Sequence, residues 1–426
     1  MYQLDWIRLR GLGRRSDAAT ARPPVSSIVW LLGLTSLLTD ISSEMVNGIL
    51  PLYVVGFLRL SPLQFGVIDG LYQGVSAVLR LVGGILADRW RRHKDIALAG
   101  YGLSAVCKLG LLFAGTSWTL LASVIALDRT GKGLRTAPRD ALITLSSDRN
   151  ALAASFGVHR SLDAAGALLG PIAAFAILWA APNAFDLVFV ASFAFAVLGV
   201  GVLLLFVPQA PPMAVGSSGF QGHWPGSVRA LLALPSFRSL IIAASALSLA
   251  TTSDAFIYLT LQQRLAFSPS VFPLLYVATS LVYVITAAPA GRLADRLGRR
   301  AVFLGGYVLL GIVYVMLLAP GTGVWGAAMG ILALGGYYAA TDGVLMALAG
   351  RLLPKASVAT GLAVLTTCTS LARLGSSVTF GWVWNAADVA AAVRVFGVGL
   401  VAALIVAAVT LARLDEGDAD LTSEGR

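Results

Sequence analysis

Long apolar runs alternate with short polar turns along almost the whole chain. About 20 apolar residues in a helix are enough to cross the hydrocarbon core of a bilayer. A backbone in lipid must also pair its own hydrogen-bonding groups, as a helix does. Twelve runs meet these conditions and are predicted to be helices. They lie at residues 28–55, 62–86, 96–115, 118–141, 152–178, 185–207, 237–262, 270–291, 300–319, 324–349, 357–384 and 390–412.

Two of the polar turns are near copies of each other. Residues 84–94 have the sequence GILADRWRRHK and residues 291–300 have GRLADRLGRR. At the same interval, three upstream positions match their counterparts: Ser61 and Ser268, Pro62 and Pro269, Phe65 and Phe272. Self-similarity over this distance predicts a duplicated unit, made of two membrane halves with the same sense of topology.

The repeat and the local composition divide the chain into five segments. Residues 1–27 hold several arginines and are predicted to be a cytoplasmic arm, the alternative being a disordered tail. The two six-helix halves are residues 28–207 and 237–413. Residues 208–236, rich in Pro, Gly and Ser, are the predicted linker, and residues 414–426 a cytoplasmic tail.

The repeated turn, G-x-L-A-D-R-x-G-R-R/K, resembles the signature loop of the major facilitator superfamily. Residues 291–300 match it closely, whereas residues 84–94 have Arg91 where that family usually has glycine. The resemblance covers roughly residues 28–413. It implies an all-α membrane protein with twelve transmembrane helices in two six-helix bundles around one central cavity, similar to bacterial drug:proton antiporters.

The composition excludes an ordinary soluble protein, because 57% of the residues are hydrophobic and only 12% are charged. The net charge of +10 does not indicate nucleic-acid binding, since Lys and Arg fall mostly in alternate short loops, the pattern of cytoplasmic anchoring. We therefore predict a multi-pass protein of the inner (plasma) membrane with both termini in the cytoplasm. The sequence has no zinc-ligand spacing, phosphate loop or nucleophile elbow, so we predict no metal, no cofactor and no enzymatic activity.

Charged residues within predicted spans are candidates for function, because they are costly in lipid. Asp40 and Glu44 lie one helical turn apart in the first span. Two carboxyls in one site can retain a proton near neutral pH; the alternative is an ion pair with a basic residue on a neighbouring helix. The fourth span contains R-x-x-K-G-x-x-x-A from Arg129, which resembles a superfamily motif whose Arg is implicated in proton transfer. The resemblance implies that Arg129 faces these carboxyls; the alternative is an internal ion-pair network around Asp128 and Asp140.

Further polar residues at helical spacing are predicted to line a cavity with one ionic and one aromatic wall. For Asp69 the alternative is simple solvation near the outer end of its span, and for the tyrosines it is filling of the core. The predicted cavity residues are Asp69, Gln73, Arg80, Lys132, Arg135, Asp163, Asp254, Tyr258, Tyr276, Tyr283, Asp342 and Arg373.

The repeated turns are predicted to act as a conformational latch. The resemblance implies that Asp88 lies against the N-terminus of the eleventh span, and Arg92 could pair with an acid at the inner end of the fourth. The mirror set, Asp295 and Arg299, would meet the start of the fifth span, and both sets would hold while the cavity opens outward. A solvated loop is the alternative. The predicted latch residues are Gly84, Asp88, Arg89, Arg92, Asp140, Asp148, Gly291, Asp295, Arg296, Gly298 and Arg299.

The fifth span contains Gly166-x-x-x-Gly170-Pro171, which resembles a motif associated with antiporters in the same family. Small residues at this spacing also allow plain close packing of two helices, so both interpretations stand.

Taken with the resemblance, these features predict proton-coupled export of a small amphiphilic molecule by alternating access. The predicted partners are a small-molecule substrate, protons and the lipid bilayer, and the protein is predicted to be a monomer. One alternative is transport of an organic anion or of a siderophore or metal-linked substrate. Another is a membrane sensor or assembly factor that kept the fold without transporting.

Overall fold

The computed structural model describes residues 25–148, 151–208, 224–321, 323–354 and 357–423. The side chains at positions 81, 88, 224–227, 359 and 413–423 are outside this description, and so are residues 1–24 of the predicted arm, residues 209–223 of the predicted linker and residues 424–426 of the predicted tail.

The described chain is almost entirely helical, which confirms the all-α prediction. The first half consists of α1 (Ser27–Pro51), which continues as a π-helical turn (Leu52–Phe57), α2 (Pro62–Trp90), α3 (His93–Ala114), α4 (Trp118–Leu145), α5 (Leu152–Ala180) and α6 (Phe185–Phe206). The second part consists of a short α7 (Trp224–Ala233), then α8 (Pro235–Leu249), α9 (Asp254–Leu265), α10 (Phe272–Leu297), α11 (Arg299–Leu318), α12 (Val324–Leu352), α13 (Val358–Ala386) and α14 (Val389–Ser423).

Ten helical passages in the described residues are long and apolar enough to cross a membrane. The other two long helices, α4 and α13, are the ones whose apolar character is interrupted, in α4 by an unusually dense set of charges. The predicted count of twelve spans therefore stays a prediction.

The seventh predicted run, residues 237–262, is not one continuous helix, which corrects the sequence prediction. It breaks between α8 and α9, where Ser253 caps α9 by accepting a hydrogen bond from the Ala255 amide. Hydroxyl side chains compete for backbone partners and favour such caps. Tyr314 stabilises the break, since its hydroxyl accepts from the Thr252 amide at 2.8 Å and donates to the Ala250 carbonyl at 2.9 Å.

Two glycines of α5 lie where this helix crosses α1. A Cβ at Gly166 would lie 2.5 Å from the Leu37 carbonyl oxygen, and one at Gly170 would lie 2.7 Å from that of Ile41. Only a residue without a side chain permits this approach. Pro171, next to Gly170, packs beside Gly48 of α1. The packing interpretation of this motif therefore has a direct structural basis, while its link to antiport stays a prediction.

The two halves meet at one end of the molecule. We call the end that carries the repeated turns the motif end, and the end with the α1–α2 and α9–α10 connections the far end. At the far end α2 packs closely on α13: a Cβ at Gly66 would lie 2.5 Å from the Ser377 carbonyl oxygen. Ser270 also donates to the Leu178 carbonyl at 2.8 Å. The halves are thus closed at the far end, and the space between them opens toward the motif end.

Candidate functional site

A cavity lies between the two halves and consists of three adjoining lobes. The wide lobe, of about 500 Å³, is lined by Lys132 from the first half and by Asp342 and Arg373 from the second. The hinge lobe, of about 220 Å³, lies against the α8–α9 break and includes Asp69 and Asp254. The wall of the hinge lobe is mainly polar, whereas that of the wide lobe combines charged groups with the apolar side chains of Phe303, Leu345 and Met346.

The third lobe, of about 210 Å³, is the tyrosine lobe, lined by four tyrosines and two aspartates from the second half. The lobes are continuous, because Asp254 lines the hinge and tyrosine lobes and Asp342 lines the wide and tyrosine lobes. The predicted cavity residues that do line a lobe are Asp69, Gln73, Lys132, Asp254, Tyr258, Tyr276, Tyr283, Asp342 and Arg373.

The carboxyl–lysine cluster, Asp40, Glu44 and Lys132, lies at the edge of the wide lobe. The Lys132 ammonium is 4.0 Å from an Asp40 oxygen and 3.8 Å from a Glu44 oxygen. Arg135 approaches Asp40 from the buried side at 3.7 Å, and Asn47 donates to Glu44 at 2.9 Å. The two carboxyls predicted from their spacing in α1 therefore share one cation from α4, as the ion-pair alternative required.

Arg129 does not reach these carboxyls, which corrects the predicted pairing. Its guanidinium pairs with its chain neighbour Asp128, and Asp128 also accepts from the Lys108 ammonium at 2.9 Å. The guanidinium lies over the Tyr72 ring, 3.9 Å from its centroid, and Arg129 is 2% exposed. Arg129 and Lys132 both line the wide lobe, but the Arg129 guanidinium is held by its chain neighbour Asp128, whereas the Lys132 ammonium extends toward the carboxyls of α1.

Arg80, Arg135 and Asp163 were predicted to line the cavity, but none of them lines any of the three lobes. Arg135 is buried over the Tyr101 ring, 4.3 Å from its centroid. Asp163 has ion-pair partners in Arg139, at 3.6 Å, and in Arg160, and its carboxyl lies beside that of Asp40. Arg80 is exposed toward the motif end. The charges of the first half satisfy one another inside it, because an unpaired charge there would be costly.

Asp69 is not solvated at a helix end, which corrects the simple alternative for this residue. It is 8% exposed and accepts three hydrogen bonds, from Gln73 at 3.0 Å, from Ser253 at 3.1 Å and from Ser377 at 2.5 Å. Ser253 lies at the α8–α9 break and Ser377 on α13, so Asp69 joins the two halves at the base of the cavity. The sequence analysis missed both serines, although the Thr-Thr-Ser run before an aspartate is an N-cap signal.

The second-half wall is built from aromatic side chains. The Tyr338 hydroxyl donates to Asp254 at 2.6 Å, and that of Tyr258 donates to Thr279 at 2.7 Å. The ring of Tyr258 meets that of Tyr276 edge to face, with centroids 4.7 Å apart. These tyrosines thus present a rigid aromatic surface to the cavity.

In the first-half latch, Arg92 and Asp140 each have a partner other than the predicted one. Arg92 lies 3.9 Å from Asp95, one turn along α3, and its side chain is 71% exposed. Asp140 pairs instead with Arg139, at 2.9 Å, and Asp148 is exposed. Asp140 is already paired with Arg139, and Arg92 pairs with the nearest acid along its own helix. The Asp88 side chain is outside the described residues, so its placement stays a prediction.

The second copy of the latch is also exposed to solvent. Asp295 pairs within its own turn, 3.6 Å from Arg299, with a side chain that is 61% exposed. Arg299 also donates to the Ala347 carbonyl of α12 at 3.1 Å. Gly298 between the two helices has a φ of +93°, a conformation that L side chains rarely adopt. The remaining latch residues, Arg89 and Arg296, are exposed, while Gly84 and Gly291 are half-buried in the ends of α2 and α10.

The family model for the Major Facilitator Superfamily matches residues 32–268 and 239–426. The chain belongs to this superfamily. A superfamily member described as an uncharacterized MFS-type transporter of Methanocaldococcus jannaschii is 33% identical over 297 residues, covering 68% of this chain and 71% of that one. An uncharacterized protein of Mycobacterium bovis is 27% identical over 434 residues, covering 95% and 99%.

Solved structures of this superfamily superimpose on nearly the whole chain. A peptide transporter, POT, in complex with sulfate aligns at a TM-score of 0.74 with 15% identity over 92% of this chain and 95% of its own. The nucleoside transporter NupG, as a mutant, aligns at 0.73 with 14% identity over 90% and 99%. At these identities the likeness shows the fold alone. With the family match, it makes the chain a multi-pass membrane transporter of the major facilitator fold, and not an enzyme.

Proposed function

We propose that this major facilitator protein exports a small organic solute in exchange for protons, with the carboxyl–lysine cluster as the coupling site. The observation that supports this proposal most directly is that two carboxyls at the edge of the central cavity share one cation, Lys132. The proposal extends to both termini in the cytoplasm of a bacterial inner membrane and to a monomeric carrier with two six-helix halves.

The three side chains of the carboxyl–lysine cluster differ in their exposure to solvent. The Lys132 side chain is 33% exposed and that of Glu44 21%, whereas that of Asp40 is 12% exposed. Glu44 is therefore the more exposed of the two carboxyls and the proposed site of proton uptake. A proton on Glu44 removes its attraction for Lys132, which then pairs with Asp40 alone, and loss of the proton restores the shared arrangement.

The coupling step links this exchange to the conformation of the halves. Lys132 lines the wide lobe between the halves, and Glu44 lies 3.8 Å from its ammonium group. When the halves rock so that the cavity opens at the far end, the same cluster faces the other aqueous phase. A carrier that holds a proton in one state and solute in the other then moves the two in opposite directions, which is the alternating-access scheme.

A second candidate within transport is carriage of an organic anion. Lys132 and Arg373 face each other across the wide lobe, and both are cationic.

The test uses purified full-length protein in liposomes with an imposed pH gradient, screened for flux of cationic dyes and of organic anions. Glu44→Gln and Asp40→Asn are expected to lose gradient-driven flux, while at least one keeps counterflow, which needs no net proton movement. Asp186→Asn, an exposed acid at the start of α6, is the matched control. Normal gradient-driven flux in both cluster variants would contradict the proposal and move the search to Asp69 or Asp163.

A further inference from the structure

We infer that the tyrosine lobe binds the ammonium group of an organic cation, with Asp254 and Asp342 as its counter-charges and the rings of Tyr276, Tyr283 and Tyr338 as its walls. The inference rests on the proposed function in one respect: it treats the lobe as part of the site for the transported solute. It narrows that solute from any small organic molecule to an amine or quaternary ammonium compound.

The charged side chains that line the tyrosine lobe are acidic. Its lining residues, all of them described by the structure, include two acids and no Lys or Arg. Within the described parts of the chain, neither Asp254 nor Asp342 forms an ion pair, and the polar side-chain partner of Asp254 is the neutral Tyr338 hydroxyl. Arg373 lies nearby, in the adjoining wide and hinge lobes, and it is a single base beside two acids.

The first half shows what this chain does with acids that serve its own structure. Asp128 is held by Lys108 and Arg129, and Asp163 by Arg139 and Arg160. Carboxylates at membrane depth are costly unless they are paired. Among the described residues no base lies within ion-pair distance of Asp254 or Asp342, and Arg373 is the one base of their own half that shares a lobe with either of them. A cation that enters the cavity would therefore supply the charge that these two acids lack.

The aromatic walls point to an organic rather than a metallic cation. Aromatic ring faces attract ammonium groups, and aromatic cages around an acid are a recurrent way to recognise quaternary ammonium ligands. In the lobe, Tyr258 donates its hydroxyl to Thr279 and holds the Tyr276 ring edge to face. A volume of about 210 Å³ suits one substituted ammonium group, with the rest of the solute extending into the wide lobe.

An unpartnered hydroxyl adjoins the same acid. Thr252 is 2% exposed, and its Oγ1 has no hydrogen-bond partner among the described residues. It lines the hinge lobe together with Asp254, Tyr276 and Tyr338, the three residues that this lobe shares with the tyrosine lobe. A buried polar atom without a partner costs free energy. The N–H group of a primary, secondary or tertiary ammonium ligand would satisfy it, whereas a quaternary ammonium ligand has no N–H group to donate.

The test is direct binding to the full-length protein in lipid nanodiscs, by calorimetry, with no pH gradient. The two probes are benzyltrimethylammonium and phenylacetate, which share a ring and differ in the sign of charge. We expect the cation to bind and phenylacetate to bind at least about tenfold more weakly, the size of effect that a desolvated cation–π site with a counter-charge can supply. Asp342→Asn should weaken the cation about tenfold, because it removes one carboxylate, and Asp186→Asn should not change it.

A matched pair of variants separates the ring from its hydroxyl. Tyr283 lines the lobe and is half-buried, so its replacement is tolerable for folding. Tyr283→Phe keeps the ring and should keep cation affinity, whereas Tyr283→Leu should lower it about fivefold. Thermal unfolding of each variant in the same nanodiscs identifies any loss of binding that comes from misfolding.

Three results overturn the inference: phenylacetate binding as tightly as the cation, unchanged cation affinity in folded Asp342→Asn, or equal affinities in Tyr283→Phe and Tyr283→Leu. Because binding is measured without a gradient, failure here leaves proton coupling intact. Conversely, tight cation binding together with normal gradient-driven flux in both cluster variants would overturn the proposed coupling site and leave the ammonium site standing.

Discussion

The two halves come from one repeated unit, but they use their polar residues in opposite ways. In the first half Asp40 meets Lys132 and Arg135, so its carboxyl is one partner in a network of ion pairs. Asp254 follows Thr-Thr-Ser in the second half much as Asp40 follows Leu-Leu-Thr in the first, yet its partner is the Tyr338 hydroxyl. The comparison teaches that matching positions of two similar halves can have different partners, an ion-pair network in one and an aromatic hydroxyl in the other. Our two proposals accordingly assign proton exchange to the first half and solute recognition to the second.

The largest expected difference between the halves is in folding stability. Asp128→Asn leaves Lys108 and Arg129 buried without their counter-charge, and removing one partner of a buried pair costs about 3–5 kcal/mol. Asp342→Asn removes an acid that has no ion-pair partner in the described chain, so we expect it to be neutral or stabilising. Thermal unfolding in the same detergent compares the two. Equal destabilisation by both would show that the second-half acids are structural too.

The next effect is on coupling. Lys132→Ala leaves Asp40 and Glu44 without their shared cation, and we expect at least about a hundredfold loss of gradient-driven flux, the range seen when a positioned proton-transfer group is lost. Arg373→Ala, at the opposite wall, should instead change solute affinity and leave the proton dependence of flux in place. Lys132→Arg is the control that keeps the charge. If Arg373→Ala alone lost the proton dependence of flux, proton coupling would belong to the second half and not to the first.

A smaller effect is expected on the balance of conformations. Gly66→Ala puts a methyl group 2.5 Å from the Ser377 carbonyl oxygen, so α2 and α13 must separate at the far end. Spin labels at Gln64 and Asn385 should then report a longer mean distance than in the unmodified chain. Gly298→Ala disturbs a turn at the other end and should leave this distance unchanged. An unchanged distance in Gly66→Ala would mean that the contact between α2 and α13 accommodates the methyl group without the two helices separating.

The smallest effects on stability are expected at the repeated turns. Asp295→Asn breaks an exposed pair within one turn, which is worth about 0.5 kcal/mol or less. Asp88→Asn is likewise expected to leave insertion and folding intact, but to cripple turnover if the first-half latch works as predicted from the motif. Flux measured beside thermal unfolding separates the two quantities, and full flux in Asp88→Asn would identify the turn as a solvated loop.

The helices could be predicted from the sequence because lipid leaves few alternatives for a backbone. The α8–α9 break could not, because its stability comes from distant residues: Tyr314 bonds both sides of it, and Ser376 donates to the Thr251 carbonyl. The local composition of residues 237–262 still predicts one continuous apolar helix.

In the candidate site, spacing identified which residues share a face but not what they face. Asp40 and Glu44 were grouped correctly, while Lys132 rather than Arg129 proved to be their partner, since a long side chain can curl back onto its own neighbour. The latch contacts depend on which end of the cavity is closed, and a conformational state is not encoded in residue spacing.

The three hydrogen bonds to Asp69 have a spectroscopic consequence. Any arrangement in which the cavity opens at the far end must part this carboxyl from Ser253 and Ser377, because they belong to the opposite half. Water would then replace two fixed hydroxyl donors, one of them at 2.5 Å. The stretching frequency of a carboxyl group depends on the number and strength of the hydrogen bonds that it accepts. The isotope-edited infrared band of Asp69 should therefore differ between the two conformations of the transport cycle. It can be recorded in the native membrane without an attached probe.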